Sequence, residues 1–248
     1  MEFNEFYFCS LWTEHFRIRN CADILLNEKL TKDYFFNRLT NITCSDTHSA
    51  IEEGIRISLK KGIDCYVYVL DDNRKLEDIL LGKGFTLVDS MSVLKCTTNT
   101  IEYDDNNTID ITKIDIDSIP IWVDVFCHAF DIQNWKNEVQ RIIKSHFKEL
   151  TLLVSYLNNK NNNIPVGCTA LFHRCSLIGL YCLGTVSDFR GQGIATKMVK
   201  VALEIAQRRG LDFIFLQAFA NEGIIGFYNK LGFQTIYKKK VYAFLREE

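Results

Sequence analysis

An anion-binding pattern lies near the end of this chain, where the sequence runs Arg190-Gly-Gln-Gly-Ile-Ala-Thr196 after an apolar segment. Glycine has no side chain to obstruct a ligand, and N–H groups at a helix start carry roughly half a positive charge from the helix dipole. The N–H groups that can converge on one anion are those of Gly191, Gln192, Gly193, Ile194 and Ala195. Arg190 adds a cation, and we assign the adjoining Thr196 to the same site. The segment therefore predicts a pyrophosphate-binding loop.

Two other phosphate-binding motifs compete for the same residues. A P-loop requires G-K-[ST], which the sequence lacks. The dinucleotide fingerprint G-x-G-x-x-G is matched at Gly191 and Gly193, but its third glycine is replaced by Thr196. Asp212 lies near the spacing at which that motif has an acidic residue. The partial match keeps a dinucleotide cofactor open as an alternative.

A third interpretation fits the loop best. The pattern Arg190-x-x-Gly193-x-Ala195 resembles the [RQ]-x-x-G-x-[GA] signature of the GCN5-related N-acetyltransferase (GNAT) family. The resemblance implies that the loop binds the pyrophosphate of acetyl-CoA. Two positions ahead of the loop depart from the family pattern, because Ser187 replaces the usual proline and Thr185 stands at the usual valine.

A second motif follows at the distance that the resemblance requires. Asn221, Tyr228 and the pair Gly232-Phe233 resemble the closing motif N-x-x-A-x-x-x-Y-x-x-x-G-F, with Gly223 and Ile224 around the usual alanine. The resemblance implies that Asn221 hydrogen-bonds the cofactor and that Tyr228 protonates the leaving thiolate. A phenol is a competent donor for that step. The alternatives are a plain helix cap for Asn221 and a core tyrosine for Tyr228.

The resemblance also implies a function for the strand that precedes the loop. In the family, two central strands part and the pantetheine arm lies between them. Here these strands are 177–185 and 213–218, and the backbone of Leu183, Gly184 and Thr185 would hold the arm and polarise the thioester carbonyl. A glycine at position 184 fits a close approach of another backbone.

Hydrophobic periodicity predicts the elements that carry these motifs. Strands are expected at 65–70, 86–95, 108–114, 150–156, 165–173, 177–186, 213–218 and 237–245. Helices are expected at 49–61, 76–81, 121–130, 135–147, 195–209 and 222–231. Alternating strands and helices indicate an α/β fold. The resemblance narrows it to tandem GNAT-like domains with a mixed, mostly antiparallel sheet, splayed central strands and flanking helices.

An internal repeat supports the tandem interpretation. An offset of 148 residues places Gly62 under Gly210, Gly84 under Gly232 and Asn73 under Asn221 without a gap. The segment 42–47, aligned with the loop, has no glycine or basic residue, and Leu80 stands where the second copy has Tyr228. We therefore predict a truncated, non-catalytic GNAT-like domain at 1–98, a linker at 99–107 and the acetyltransferase domain at 108–248. The first domain is expected to cover a sheet edge or wall the acceptor pocket.

Composition excludes several classes of protein. Hydrophobic residues are 47% of the chain, which argues against disorder, and 29 basic against 31 acidic residues give no basic excess for nucleic acid or an anionic membrane. The first residues lack a signal-peptide pattern, and no apolar stretch is long enough to span a bilayer. Nine dispersed cysteines without a C-x-x-C pair predict no metal and a reduced, cytoplasmic setting. A nucleophilic role for Cys182 stays open, although no histidine lies at a suggestive spacing.

The leading hypothesis is an acetyl-CoA-dependent N-acetyltransferase, in which an unidentified small-molecule or peptide amine attacks the thioester directly in a ternary complex. Asp188, Glu222 and His173 are candidates for the base that takes the amine proton. The alternatives are a non-catalytic protein that binds CoA or acyl-CoA and, less favoured, a dinucleotide-dependent oxidoreductase. A homodimer is the default expectation for the oligomeric state.

Overall fold

The computed structural model describes residues 1–43, 46–100, 108–159 and 162–246. The helices in these ranges are α1 (Glu2–Trp12), α2 (Thr47–Lys60), α3 (Arg74–Gly82), α4 (Ile119–Phe130), α5 (Lys136–Ser145), α6 (Ile194–Arg208) and α7 (Ile225–Lys230). The strands are β1 (Glu14–Ile18), β2 (Ala22–Leu26), β3 (Arg38–Thr40), β4 (Cys65–Leu70), β5 (Thr86–Thr97), β6 (Ile109–Lys113), β7 (Leu150–Asn159), β8 (Asn162–Arg174), β9 (Leu177–Thr185), β10 (Phe213–Phe219) and β11 (Gln234–Phe244). The α/β class is as predicted.

Two compact units divide these elements, and neither is a single stretch of sequence. Unit 1 consists of Met1–Glu5, Lys95–Leu216 and Tyr228–Gln234. Unit 2 consists of Phe6–Leu94, Gln217–Phe227 and Thr235–Glu248. Most of the predicted linker, residues 101–107, lies outside the described residues, and Thr98–Thr100 form a short 3-10 helix. The boundaries at 1–98, 99–107 and 108–248 stay a prediction about the sequence.

Unit 1 contains a mixed sheet in the order β10-β9-β8-β7-β6. Its neighbours β6 to β9 pair antiparallel, whereas β9 and β10 run parallel. A Cβ atom at Gly184 would meet Ala129 of α4, and one at Gly167 would meet Ile194 of α6. Thr185 pairs with Gly167, and consecutive strand residues point to opposite faces. The two helices therefore flank the sheet on opposite faces.

The predicted separation of the central strands is present in unit 1. The ladder between β9 and β10 joins two residue pairs, Ile178 with Ile214 and Gly179 with Phe215, although β9 continues to Thr185. The opposite edge of β9 changes register against β8 between Cys168 and Ala170. This bulge coincides with Cys182, whose φ of +53° is rare for a residue with a side chain. The end of β9 is therefore not paired with β10, and it is bulged against β8, just before the glycine loop.

Unit 2 contains the strands in the order β1-β2-β3-β4-β11-β5. The last strand of the chain, β11, pairs antiparallel with β4 from Lys239 opposite Leu70 to Phe244 opposite Cys65. Fully buried Ile24, Ile51 and Val67 belong to the apolar core of this unit. Periodicity predicts neither α1 nor β1 to β3, because these strands are short and α1 is apolar around most of its circumference.

The internal repeat extends to the element boundaries. Shifted by 148 positions, α2, β4, α3 and β5 fall on α6, β10, α7 and β11, with starts that differ by three residues at most. Gly62 and Gly210 end α2 and α6 with φ of +69° and +70°, and Gly84 and Gly232 follow α3 and α7 with +86° and +87°. A left-handed residue just after a helix is usually glycine. The repeat in the sequence thus has a counterpart in the positions of these elements, and the duplication itself stays a prediction.

Asn4 should make a large contribution to the stability of unit 1. Its side chain is fully buried, its Nδ2 donates to the carbonyls of Phe172 at 3.3 Å and Leu177 at 3.2 Å, and its Oδ1 accepts from the Tyr181 hydroxyl at 2.9 Å. We expect Asn4→Leu to lower the free energy of unfolding by about 2 to 4 kcal/mol. The two carbonyls and the Tyr181 hydroxyl would lose their hydrogen bonds to Asn4 while they stay in the interior. Urea unfolding measures this, with 72%-exposed Phe3→Ala as the control. Equal midpoints for the two variants would contradict the prediction.

Candidate functional site

The predicted anion-binding loop is open in the structure. Gly193 directly precedes α6 with φ of +82°, Gly191 has φ of +78°, and no heavy atom lies within 4 Å of a Cβ placed on either. Gly191, Gln192 and Gly193 are exposed, and no side chain of the described residues caps α6. The buried side chain of Ile194 anchors the helix start to the core. The first N–H groups of α6 are therefore available to a ligand.

Arg190 is exposed but its guanidinium is fixed by two backbone carbonyls. Its Nε donates to the carbonyl oxygen of Thr185 at 3.1 Å, and its Nη2 donates to that of Ala129 at 2.9 Å. The side chain thus joins the end of β9 to the end of α4 while its positive charge stays beside the loop. The sequence predicted the charge and missed this contact, because a backbone carbonyl leaves no mark in a sequence.

Leu183, Gly184 and Thr185 form the end of β9, directly after the bulge. A Cβ on Gly184 would lie 2.7 Å from Cε2 of Phe130 and 2.8 Å from Cβ of Ala129, so a larger residue here would require α4 or the Phe130 ring to shift. Phe130 was not predicted as a site residue, yet its ring lies against this backbone and is 41% exposed. The hydroxyl of Thr185 is buried and has no hydrogen-bond partner among the described residues.

Asn221 is exposed and belongs to unit 2. It lies in a short 3-10 helix (Ala220–Glu222) that ends at Gly223 with φ of +67°. The predicted helix from Glu222 begins later, as α7 at Ile225, because this left-handed glycine interrupts the chain. The expectation that Asn221 caps this helix is therefore wrong. Its side-chain amide instead donates to the carbonyl oxygen of Val88 at 3.2 Å.

Tyr228 lies on α7, in unit 1 together with the glycine loop. Its side chain is largely buried, with 5% of its surface exposed. The ring packs edge-on against Phe233 with 5.6 Å between centroids. The closing-motif phenylalanine therefore fixes the orientation of the tyrosine ring.

The three candidate bases differ in their surroundings. Asp188 is exposed and accepts from the Ser187 hydroxyl at 3.2 Å, and His173 is exposed on β8. Glu222 accepts from the backbone N–H of Phe219 at 3.3 Å. Partial desolvation, together with the charges of Asp89 and Asp33, raises the pKa of Glu222 above the ordinary value of a glutamate.

Two further observations concern metal binding and membrane-spanning helices. In the part of the chain that is described, no group of three or more His, Cys, Asp or Glu side chains is arranged to hold a metal ion. No described helix has both the length and the apolar composition that crossing a membrane requires.

Cys182 lies at the bulge, where its carbonyl oxygen is 3.6 Å from the Cys168 thiol, and burial raises the pKa of Cys168.

Comparisons with known proteins bear on the same segment. Residues 121–233 match the sequence model of the acetyltransferase (GNAT) family. N-alpha-acetyltransferase 50 of Danio rerio is 39% identical over 87 residues, which cover 33% of this chain and 52% of that relative. The chain spans about half the length of the curated relatives it matches first.

Two solved structures share the fold. A GCN5-related N-acetyltransferase from Kribbella flavida superposes with a TM-score of 0.69 at 12% identity, over 99% of this chain and 95% of that one. A tandem GNAT protein from the clavulanic acid biosynthesis pathway gives a TM-score of 0.60 at 9% identity, over 85% and 76% of the two chains. At these identities the likeness establishes the fold alone. It extends over both halves of the sequence.

Proposed function

We propose, from the premise that residues 121–233 form a domain of the acetyltransferase (GNAT) family, that this protein transfers the acetyl group of acetyl-CoA to an amine. The observation that carries the proposal is the open glycine loop at the start of α6, directly after a strand that is bulged and separates from β10. One end of this arrangement suits a pyrophosphate, and the other suits an extended arm that bonds to a strand edge.

The binding roles follow from this arrangement. The N–H groups from Gly191 to Thr196 would donate to the pyrophosphate, and Arg190 would add its charge. Two of the loop residues that would donate are glycines whose Cβ positions face open space, so the loop fits this group. The backbone from Leu183 to Thr185 would hold the pantetheine arm, and Asn221 would bind the cofactor through its amide.

The transfer itself would need a neutral amine and a proton donor. The amine nitrogen forms a bond to the thioester carbon while the carbon–sulfur bond breaks, and the phenol of Tyr228 protonates the departing thiolate. Asp188, Glu222 and His173 are the three candidates for the base that takes the amine proton. The peptide amides at the β9 bulge would polarise the thioester carbonyl.

The acceptor class is inferred from the relatives. N-alpha-acetyltransferases from Danio rerio and Schizosaccharomyces pombe match this chain, so the α-amino group of a peptide is the first acceptor to test. Small-molecule amines form the second set. A non-catalytic acyl-CoA binder is the alternative, and the presence of Tyr228, which binding alone does not need, argues against it.

Thiol release from acetyl-CoA in the presence of a panel of peptides and small amines tests the proposal. We expect acceptor-dependent release of CoA with at least one amine, and thermal stabilisation by CoA but not by NAD. Stabilisation by CoA without release from any acceptor would favour the non-catalytic binder. Stabilisation by NAD alone would favour the dinucleotide alternative and overturn the proposal.

A further inference from the structure

The segment that carries Asn221 is held by residues from the first half of the sequence. The backbone N–H of Asn221 donates to Oδ1 of Asp89 at 3.3 Å, and its Nδ2 donates to the carbonyl oxygen of Val88 at 3.2 Å. Val88 and Asp89 are consecutive residues of β5. Because Asn221 itself is exposed, hydrogen bonds rather than burial hold it in place. The bond to Asp89 fixes its backbone, and the bond to Val88 orients its side chain.

Asp89 is a fixed acceptor. Its side chain is 6% exposed, its Oδ1 also accepts from the N–H of Ser90 at 2.7 Å, and its Oδ2 accepts from the hydroxyl of Tyr34 at 2.7 Å. Hydrogen bonds to an ionised acceptor are stronger than neutral ones. Three donors on two oxygens therefore hold the carboxylate in one orientation, and that orientation defines where the N–H of Asn221 lies.

Tyr34 also contacts the strand end that leads to Asn221. Its ring packs edge-on against Phe219 with 4.8 Å between centroids, and the neighbouring Phe35 packs against Phe219 at 6.1 Å. Burial and the hydrogen bond to Asp89 raise the pKa of Tyr34 well above its ordinary value. Ring contacts and hydrogen bonds from the first half thus fix the whole turn.

We propose that Asp89 is the positioning residue for Asn221, and that the first half of the chain, which lacks a glycine loop of its own, supplies this support. The inference rests on the proposed role of Asn221 in binding the cofactor. The bond to Val88 uses one N–H of Nδ2, and in this proposal Oδ1 of the Asn221 amide accepts a hydrogen bond from the cofactor. Asp89 does not touch the cofactor. Without the Asp89 carboxylate, Asn221 would become ordered only when the cofactor binds, and that ordering lowers the affinity for the cofactor.

A double-mutant cycle on CoA affinity tests this, with the dissociation constant of CoA measured by titration calorimetry. Asn221→Ala and Asp89→Ala are each expected to raise the dissociation constant by about tenfold, through loss of the same hydrogen bond to the cofactor. The double variant should bind no more weakly than Asn221→Ala alone, because Asp89 acts through Asn221. A merely structural role for Asp89 predicts that the two effects multiply.

Two further variants separate positioning from stability. Asp89→Asn keeps an oxygen for the N–H of Asn221 and should raise the dissociation constant only about two- to fourfold, since a neutral acceptor is weaker. Tyr34→Phe removes one of the three donors to the Asp89 carboxylate but leaves both acceptors of Asn221 in place. It should therefore raise the dissociation constant less than Asp89→Ala does. If Asp89→Ala does not fold, the cycle is run with Asp89→Asn, whose effect should vanish in the Asn221→Ala background.

The outcomes distinguish the inference from the function on which it rests. Multiplying effects, or an unchanged dissociation constant in Asp89→Ala or in Asn221→Ala, would overturn the inference and leave CoA binding by the chain intact. Failure of the unchanged protein to bind CoA would overturn the proposed function itself, and the positioning role with it.

Discussion

Replacing Tyr228 with phenylalanine is expected to lower kcat for acetyl transfer about 100-fold while KM for acetyl-CoA stays within about threefold. The change removes only the hydroxyl, and the packing of the ring against Phe233 keeps the side chain in place. A proton donor acts on the departing thiolate, so its loss affects the chemical step and leaves ground-state binding intact. Steady-state thiol release over a range of pH measures both constants.

Tyr181→Phe is the matched control for this prediction. Tyr181 is 4% exposed and packs edge-on against Phe215, much as Tyr228 packs against Phe233, but its hydroxyl donates to Asn4. Its loss should lower the unfolding free energy by about 1 kcal/mol and leave kcat unchanged. If Tyr228→Phe kept its turnover at every pH, or if both variants lost turnover equally, Tyr228 would not be the proton donor.

Replacing Gly193 with alanine is expected to raise the dissociation constant of acetyl-CoA by about 10- to 100-fold. At φ of +82° an alanine is strained, so the loop relaxes and turns its N–H groups away from the common anion. Several charge-assisted hydrogen bonds to the pyrophosphate weaken together, which is why the effect exceeds that of a single lost bond. Titration calorimetry with acetyl-CoA measures the change.

Gly210 provides a control at the other end of the same helix. It has φ of +70°, is exposed, and has no heavy atom within 4 Å of its Cβ position, as at Gly193. Gly210→Ala should therefore lose a similar unfolding free energy, about 1 to 2 kcal/mol, and bind acetyl-CoA normally. Equal losses of affinity in the two variants would show that strain in α6, and not the loop, limits binding.

The glycine loop and its flanking elements could be predicted from the sequence because residues close in the chain determine their backbone conformation. The run from Arg190 to Thr196 predicted a glycine turn and a helix start, and both are present, since a left-handed backbone at positions 191 and 193 is inexpensive only for glycine. Apolar periodicity likewise predicted α6, β9 and β10 to within about two residues. The start of α7 was missed because Gly223 ends a 3-10 turn that the periodicity does not reveal.

Prediction from apolar periodicity fails for the elements from α1 to β3. Strands of three to five residues carry too few positions for a period to emerge, and the apolar residues of α1 lie on all its sides. The place of β11 beside β4 was equally hidden. Strand pairing depends on which surfaces meet after the chain has folded, and similar strands offer similar patterns.

The chemistry of the loop and the order of the motifs follow from residue type and spacing, because these set backbone conformation and hydrogen-bonding capacity over a few residues. The contacts that hold those residues in place appear only in the folded protein. Arg190 bonds to the carbonyls of Thr185 and Ala129, and Asn221 bonds to Val88 and Asp89, which lie more than 130 residues earlier. These partners are backbone carbonyls or distant side chains, and a chain brings them together only when its whole fold has formed.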